Sequence, residues 1–573
     1  KGAKAGKYEA KLVELRASKP TDTDRVAAFK ALGEAVLLGG EEGKSENAIE
    51  KYQEAIEKFE KASEVLPQAD ALNRLGRIYS NKGDYSKAEP LFIQALDIRR
   101  KILGDNHSDT ALSLNGLATL YQDKGDYPKA EALFIQASDI FRKVLGEDHP
   151  YTGSSINNLA NLYSNKGDYS KAEPLYLQAL GIFRKVLGEN SHDTANALNN
   201  LANLYSKKGD YSKAELLFIQ AIDIFRKILG DNHPDTVNAL NNLANLYYNK
   251  GDYSKAELLF IQAIDIFRKI LGDNHPDTAN ALNNLANLYS NKGDYSKAEL
   301  LHLQALDIRR KIFGDNHPST ASSINNLAGL YDMKGDFVKA EPLFIQALGI
   351  RRKIFGDNHP NTASSINSLA VLYYNKGDFV KAELLFIQAI DIFRKILGDN
   401  HPDTARSIDN LAGLYDRKGE YSKAEPLYIQ ALDIRRKILG DNHPSTTNSI
   451  NNLASLYYGK GDYAKAEALL FQALDTYHKV LGSNNPIITN SINNLAILYS
   501  SKKDYEKAVK YRQEANDARE VELTRNLFLG SERQKQLYLQ LYAYETDIAL
   551  SLHVQPAPTN PLAKQLALTQ ILR

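Results

Sequence analysis

The stretch Thr152–Leu187 reads T-G-S-S-I-N-N-L-A-N-L-Y-S-N-K-G-D-Y-S-K-A-E-P-L-Y-L-Q-A-L-G-I-F-R-K-V-L, and its reading decides the fold. The first half places apolar residues at Ile156, Leu159, Ala160, Leu162 and Tyr163. Steps of three and four give a helix with one buried stripe. Gly167 follows, where a helix commonly ends on a left-handed residue. Asp168 is then placed to cap the next helix through its side-chain oxygen. Ala172, Leu175, Tyr176, Ala179, Leu180 and Phe183 form the second stripe, and Gly188 ends it. The unit is helix, tight turn, helix, tight turn, with helices of roughly 14 and 18 residues, about 20–27 Å long.

Working outward, the unit repeats every 42 residues. Its turn glycine recurs at Gly83, Gly125, Gly167, Gly209, Gly251, Gly293, Gly335, Gly377, Gly419 and Gly461, and Lys503 keeps the frame once more. A fixed period of this size means a stacked array. One hairpin cannot bury both its faces, whereas stacked hairpins can. The expectation is an all-α, quasi-one-dimensional superhelix with contacts between neighbouring repeats only.

Ile156, Leu159, Ala160 and Tyr163, then Ala172, Tyr176 and Ala179, stand at the signature positions of the tetratricopeptide (TPR) repeat. The ordinary unit of that family is 34 residues. The longer unit here, with N-N-L-A-x-L-Y, K-G-D-Y-x-K-A-E, A-L-x-I and L-G-x-x-H-P, resembles the TPR domain of kinesin light chain and the kinesin-light-chain-like proteins of bacteria, including cyanobacteria. The resemblance covers roughly residues 68–510. It implies a right-handed TPR solenoid of antiparallel helix hairpins that binds cargo or a partner and catalyses nothing.

Composition excludes several classes. Among 573 residues, Lys+Arg number 71 and Asp+Glu 70, a formal net charge of +1. Such a balance provides no global field for nucleic acid. There is no Cys, so no disulfide framework, thiolate metal site or Cys nucleophile exists. No run of about 18 apolar residues suggests a membrane span. No H-E-x-x-H, phosphate-binding loop, G-x-S-x-G or dinucleotide fingerprint is present. The expected protein is a non-enzyme without cofactor or metal, located in the cytoplasm.

The array has flanks. Residues 1–20 are Lys- and Ala-rich and read as a flexible N-terminus, with no initiator Met and no apolar signal segment, as in a processed or trimmed chain. Residues 21–67 read as a diverged N-terminal helical hairpin, the second helix running Glu46–Leu66 and stopped by Pro67. About eleven repeats then fill 68–511. Residues 512–573 read as a helical tail, with a polar continuation to about Asn526, a capping box at Ser531 and Gln534, and a linker marked by Pro556, Pro558 and Pro561. Leu562, Leu566, Leu568 and Ile571 give its last helix an apolar face with no evident partner, which reads as truncation from a longer protein. The stretch N-L-F-L-G-S-E-R-Q-K…A-P-T-N-P-L-A resembles the junction between TPR arrays and a C-terminal CHAT (caspase-like) domain.

In a TPR superhelix the first helix of each hairpin lines the concave face. Two of its positions look inward. The first holds Asn157, Asn199, Asn241, Asn283, Asn325 and Asn367, with Asp409 as an exception, and the second holds Asn161, Asn203, Asn245 and Asn287 before changing to Gly329, Val371 and Gly413. An amide offers two donors and an acceptor. A column of amides can pair with the backbone of an extended peptide largely regardless of its sequence. The same Asn residues can instead tie neighbouring helices together, or be neutral residues copied by duplication. Three residues further on, Tyr248 and Tyr374 are candidate anchors for a ligand side chain, or inter-repeat packing. The groove lacks the Lys/Arg pairs with which other TPR domains hold acidic C-terminal tails.

The His residues of the inter-repeat turns, His149 and His401 among them, read as turn caps just before Pro rather than metal ligands, since one per repeat cannot converge. Segments such as Arg309-Arg310-Lys311 read as a solvated convex face. The expected function is a scaffold or adaptor holding a partner protein or peptide in the groove, without nucleic acid or membrane. The alternatives are a sensor arm of a larger CHAT-like effector, and a structural rod that self-assembles through its ends or tail.

Overall fold

The computed structural model describes residues 20–39, 45–481 and 488–529. Among them are twenty-four α-helices and no strand. Ser531 and everything read beyond it, and the stretch before Pro20, lie outside the described residues. The chain divides into two compact units, Lys1–Leu120 and Tyr121–Arg573.

In the first unit, the helices Pro20–Gly39 and Ser45–Lys61 pack Ala28, Ala31 and Ala35 against Ala48, Tyr52, Ala55 and Phe59. Phe29 meets Phe59 edge-on at 5.0 Å. The second helix ends at Lys61, earlier than Pro67 suggested. Ser63 takes the left-handed conformation (φ 57°) and the next helix begins at Val65. Pro67 therefore lies in a first helical turn, where its missing N–H leaves no bond unmade.

In the second unit, the hairpin that decides the fold comprises Pro150–Asn165 and Tyr169–Leu187. The two helices are slightly longer than their apolar stripes. Extra residues come from the caps. His149 takes the N-cap, its Nδ1 accepting from the Tyr151 N–H at 3.1 Å, with Pro150 in the first turn. Asp168 caps the second helix by accepting from the Lys171 N–H. Between the helices, Gly167 has φ +71°, and the Asp168 N–H reaches back to the Tyr163 carbonyl at 2.9 Å. This five-residue return needs a residue free to adopt positive φ. Buried Phe141, Phe183, Phe225, Phe267 and Phe393 occupy one phase of the second helices. Each such side chain contributes about 2–3 kcal/mol by leaving water.

Neighbouring repeats are stapled by a three-residue cluster. The Tyr163 hydroxyl donates to Glu131 at 2.8 Å and Lys166 Nζ donates to the other carboxylate oxygen at 2.5 Å. Tyr247, Glu215 and Lys250 repeat the arrangement, as do Tyr331, Glu299 and Lys334. Burial would raise the Glu131 carboxyl, but Lys166 and Tyr163 together outweigh it and hold the group below the usual range.

Contacts are not confined to neighbours. Nε2 of His359 lies 3.1 Å from the carbonyl of Asp123, and Nε2 of His401 lies 3.2 Å from that of Asn165, each pair 236 residues apart in the chain. His443 bonds the backbone of Lys207 in the same way. In all three rings Nδ1 accepts from a backbone N–H two residues on (Asn361, Asp403, Ser445). Nδ1 is thus the unprotonated nitrogen and Nε2 the donor. A Cβ on Gly167 would fall 2.9 Å from Pro402 Cδ, and one on Gly209 2.7 Å from His443 Cδ2. The turn glycines there meet two demands, a positive φ and a close approach. The stack in this unit winds until one coil rests on another, because a small rotation per repeat accumulates.

Candidate functional site

First helices of successive repeats touch one another in a row through the second unit. The row lines an open cavity of about 580 Å³, walled by residues from Tyr248 to Asn410 and so by five consecutive first helices. It sits where the second Asn position gives way to Gly329 and Val371. Asn287, Asn325 and Asn367 stand around it, with Leu330 and Phe344 as apolar wall.

The candidate residues are distributed unevenly over this surface. Oδ1 of Asn157 accepts from Nδ2 of Asn200 at 3.3 Å, Asn199 from Asn242 at 3.2 Å, Asn241 from Asn284 at 3.3 Å, and Asn367 from Asn410 at 3.4 Å. These four amides bridge adjacent repeats through their acceptor. Asn283 is buried and bonds Ser323 and His302. Asn325 differs. Its Oδ1 is buried with no hydrogen-bond partner among the described residues. At the second position, Asn161 accepts from the Tyr176 hydroxyl. For Asn203, Asn245 and Asn287 the residues equivalent to Tyr176 are Phe218, Phe260 and His302, and these three Asn make no hydrogen bond among the described residues. They are half-buried and their amides are open to a ligand. Both Tyr candidates engage the next repeat. The Tyr248 hydroxyl accepts from Asn291 at 2.6 Å, and the Arg417 guanidinium lies 5.0 Å above the Tyr374 ring.

The largest departure from the sequence reading is electrostatic. Arg309, expected on a solvated face, is only 7 % exposed, while Arg310 and Lys311 beside it are exposed. Arg309 and Arg351 stand in phase with Phe225 and Phe267, so their guanidinium groups enter the core. Arg99 and Arg435 share that phase and are equally buried. Each of those two meets a carboxylate, Arg99 at Asp70 and Arg435 at Asp409 at 3.1 Å. Asp409 thereby accounts for the break in the Asn column. Among the described residues, Arg309 and Arg351 find only neutral acceptors. Arg309 donates to Asn280, Ser323 and the Ser319 carbonyl, and Arg351 to Ser322, Ser365 and the Asn361 carbonyl. Burial pushes both down to about 10. Arg351 borders the cavity together with Arg406 and the carboxylate of Asp332, and among the described residues its own guanidinium has no carboxylate partner. The 42-residue phase carried this signal, since an Arg replaces Phe at a core position.

No group of three His, Cys, Asp or Glu side chains among the described residues could hold a metal ion, and no described helix is long and apolar enough to cross a membrane.

Comparison with known proteins agrees with this architecture. One tetratricopeptide repeat profile matches ten overlapping segments from 67–143 to 446–520, and a second matches 26–101. Among curated proteins none matches significantly. Solved structures similar to the chain include BtubC (BKLC) from P. vanneervenii, 24% identical over 44% of this chain and 94% of that one, with a TM-score of 0.34. A putative kinesin light chain of Podosopora anserina with nearly identical TPR-like repeats is 29% identical over 35% of this chain and 94% of that one, TM-score 0.31. A Rap protein complexed with competence and sporulation factor is 15% identical over 66% of this chain and 99% of that one, TM-score 0.44. With family profiles covering most of its length, the chain belongs to the tetratricopeptide repeat family.

Proposed function

We propose that the chain is a protein-interaction scaffold that holds an extended segment of a partner protein along the row of first helices. One observation carries the reading: a cavity spanning five repeats opens where the groove side chains shrink to Gly329, and its wall holds Arg351, bonded only to neutral acceptors among the described residues, beside Arg406 and the Asn375-bonded Asp332. The Asn203, Asn245 and Asn287 amides lead to that cavity and supply donors and acceptors for a peptide backbone. Asn157, Asn199 and Asn241 hold the repeats together through their acceptors, and their remaining N–H groups contribute to the same surface. A carboxylate on the ligand, seated at Arg351, supplies the missing counter-charge.

The test is selection of binders from a random peptide library on the wild-type chain. Selected peptides are expected to carry an acidic residue at a fixed register. They are expected to lose about tenfold or more in affinity when Arg351 is changed to Phe, the residue other repeats carry there. Changing Asn203, Asn245 and Asn287 together to Leu is expected to weaken every selected peptide, with circular dichroism unchanged. Peptides that bind both variants as tightly as wild type would place recognition elsewhere.

A further inference from the structure

The coil-to-coil contact has two complementary sides, and each recurs in repeats where no described residue covers it. One side is the turn inside a hairpin. At Gly125, Gly167 and Gly209 it is covered by a His-Pro turn. At Gly335, Gly377, Gly419 and Gly461 no described atom comes within 4 Å of where a Cβ would stand. The other side is the turn between hairpins. His359, His401 and His443 are 4, 6 and 9% exposed where that turn is docked. The side chain of His233 is 38% exposed, and His149 is half-buried. The open turns share their chemistry with the docked ones. Leu229-Gly230-Asp231-Asn232-His233-Pro234 matches Leu397-Gly398-Asp399-Asn400-His401-Pro402 residue for residue, and Tyr373-Tyr374-Asn375-Lys376-Gly377-Asp378 differs from Tyr163-Ser164-Asn165-Lys166-Gly167-Asp168 at one position.

We propose that these open faces receive a second copy of this chain, the His149 and His233 turns of one copy docking on the Gly335–Gly461 turns of another. The contact within the chain is the template. It is heterologous, since the two sides differ, and among the described residues each copy leaves one set of each side uncovered. Such a contact builds a ring or an open filament rather than a two-fold dimer. The acceptor for His149 or His233 Nε2 is the carbonyl two residues before the turn glycine, that of Asn375 for Gly377, as Asn165 is for His401. This inference does not depend on the peptide reading of the cavity.

Sedimentation of the full 573-residue chain over a wide concentration range tests it. The weight-average mass is expected to climb with concentration past that of a dimer. A variant carrying His149→Asp and His233→Asp keeps an N-cap acceptor at both helices and loses the imidazole donor. It is expected to remain monomeric with an unchanged melting temperature. Because the chain has no cysteine, Asn375→Cys gives a single attachment point for a thiol-to-amine crosslinker. Crosslinks are expected to Lys143 or Lys227 of another copy, identified by mixing isotopically distinct chains. A monomer at every concentration, assembly indifferent to the His→Asp changes, or crosslinks that run to residues 530–573 of the same chain would each overturn the proposal.

Discussion

Changing Asp409 to Asn is expected to destabilise the chain by about 3 kcal/mol or more, although Asn stands at that position in the other repeats. Asp409 Oδ2 accepts from Arg435 at 3.1 Å and from Asn452 at 2.9 Å. Both partners of the ion pair are nearly buried, at 8 and 10% side-chain exposure. Burial raises the Asp409 carboxyl above its ordinary value in spite of Arg435, so the ion pair stands in a poorly solvated place. Removing the carboxylate leaves a buried guanidinium bonded to Ser449 and a carbonyl alone. The cost of an uncompensated buried charge exceeds that of a lost neutral hydrogen bond. Arg435→Phe in the same chain is expected to restore most of the loss, because Phe393 fills that phase one repeat earlier. Equilibrium denaturation of the two single variants and the double variant measures this coupling. A loss below about 0.5 kcal/mol for Asp409→Asn would mean that neutral acceptors suffice for a buried Arg here. The argument that Arg351 awaits an anionic group would fall with it.

The second large effect is acid opening of the coil-to-coil contact. Burial depresses His359 and His443 from 6.5 to about 4, and lowers His401 as well. The docked rings are neutral, with Nδ1 accepting. An undocked ring takes up a proton near its ordinary value. Docking therefore contributes fully above pH 6.5 and is lost as the pH falls from 6.5 towards 4. For His359 and His443 a shift of that size corresponds to on the order of 3 kcal/mol each. The charges facing the rings act in both directions. Asp403 favours a charged His401, whereas Arg406 and Lys207 oppose it, as Arg351 does at His359 and Arg435 at His443. Small-angle scattering is expected to show a rise in radius of gyration between pH 6.5 and 4 while circular dichroism stays helical. In a variant with His359, His401 and His443 changed to Asn, that rise is expected to be absent. A radius that does not respond to acid, or that responds equally in the variant, would remove the His turns from the contact.

What the sequence shows and hides follows from the range of each interaction. The hairpin of Pro150–Leu187, its Gly167 and Gly188 stops, and the His149 and Asp168 caps are set by chemistry within a few residues, and a 42-residue period repeats the message. The row of Asn amides was equally visible, but its partition was not. Asn157 and Asn199 are engaged by the next repeat and Asn245 is not, a difference that depends on how one helix rotates against another. Arg309 was misread because its charge and its Arg-Arg-Lys context suggest water, whereas its phase with Phe267 places it in the core. The docking of His401 on Asn165 had no local signal at all. It depends on a small rotation summed over more than five repeats, and Leu229–Pro234 carries the same turn sequence undocked.

That docking underlies both the acid response and the copy-to-copy proposal, so its direct measurement decides most. Ser170 and Asp399 are exposed residues lining one gap beside the His401 contact, from repeats far apart in sequence. In a chain without cysteine, Ser170→Cys and Asp399→Cys take a pair of spin labels and nothing else does. Pulsed electron–electron resonance at neutral pH is predicted to give one narrow, short distance. A broad distribution centred at long distance would show that the coils stand apart, and would contradict the account.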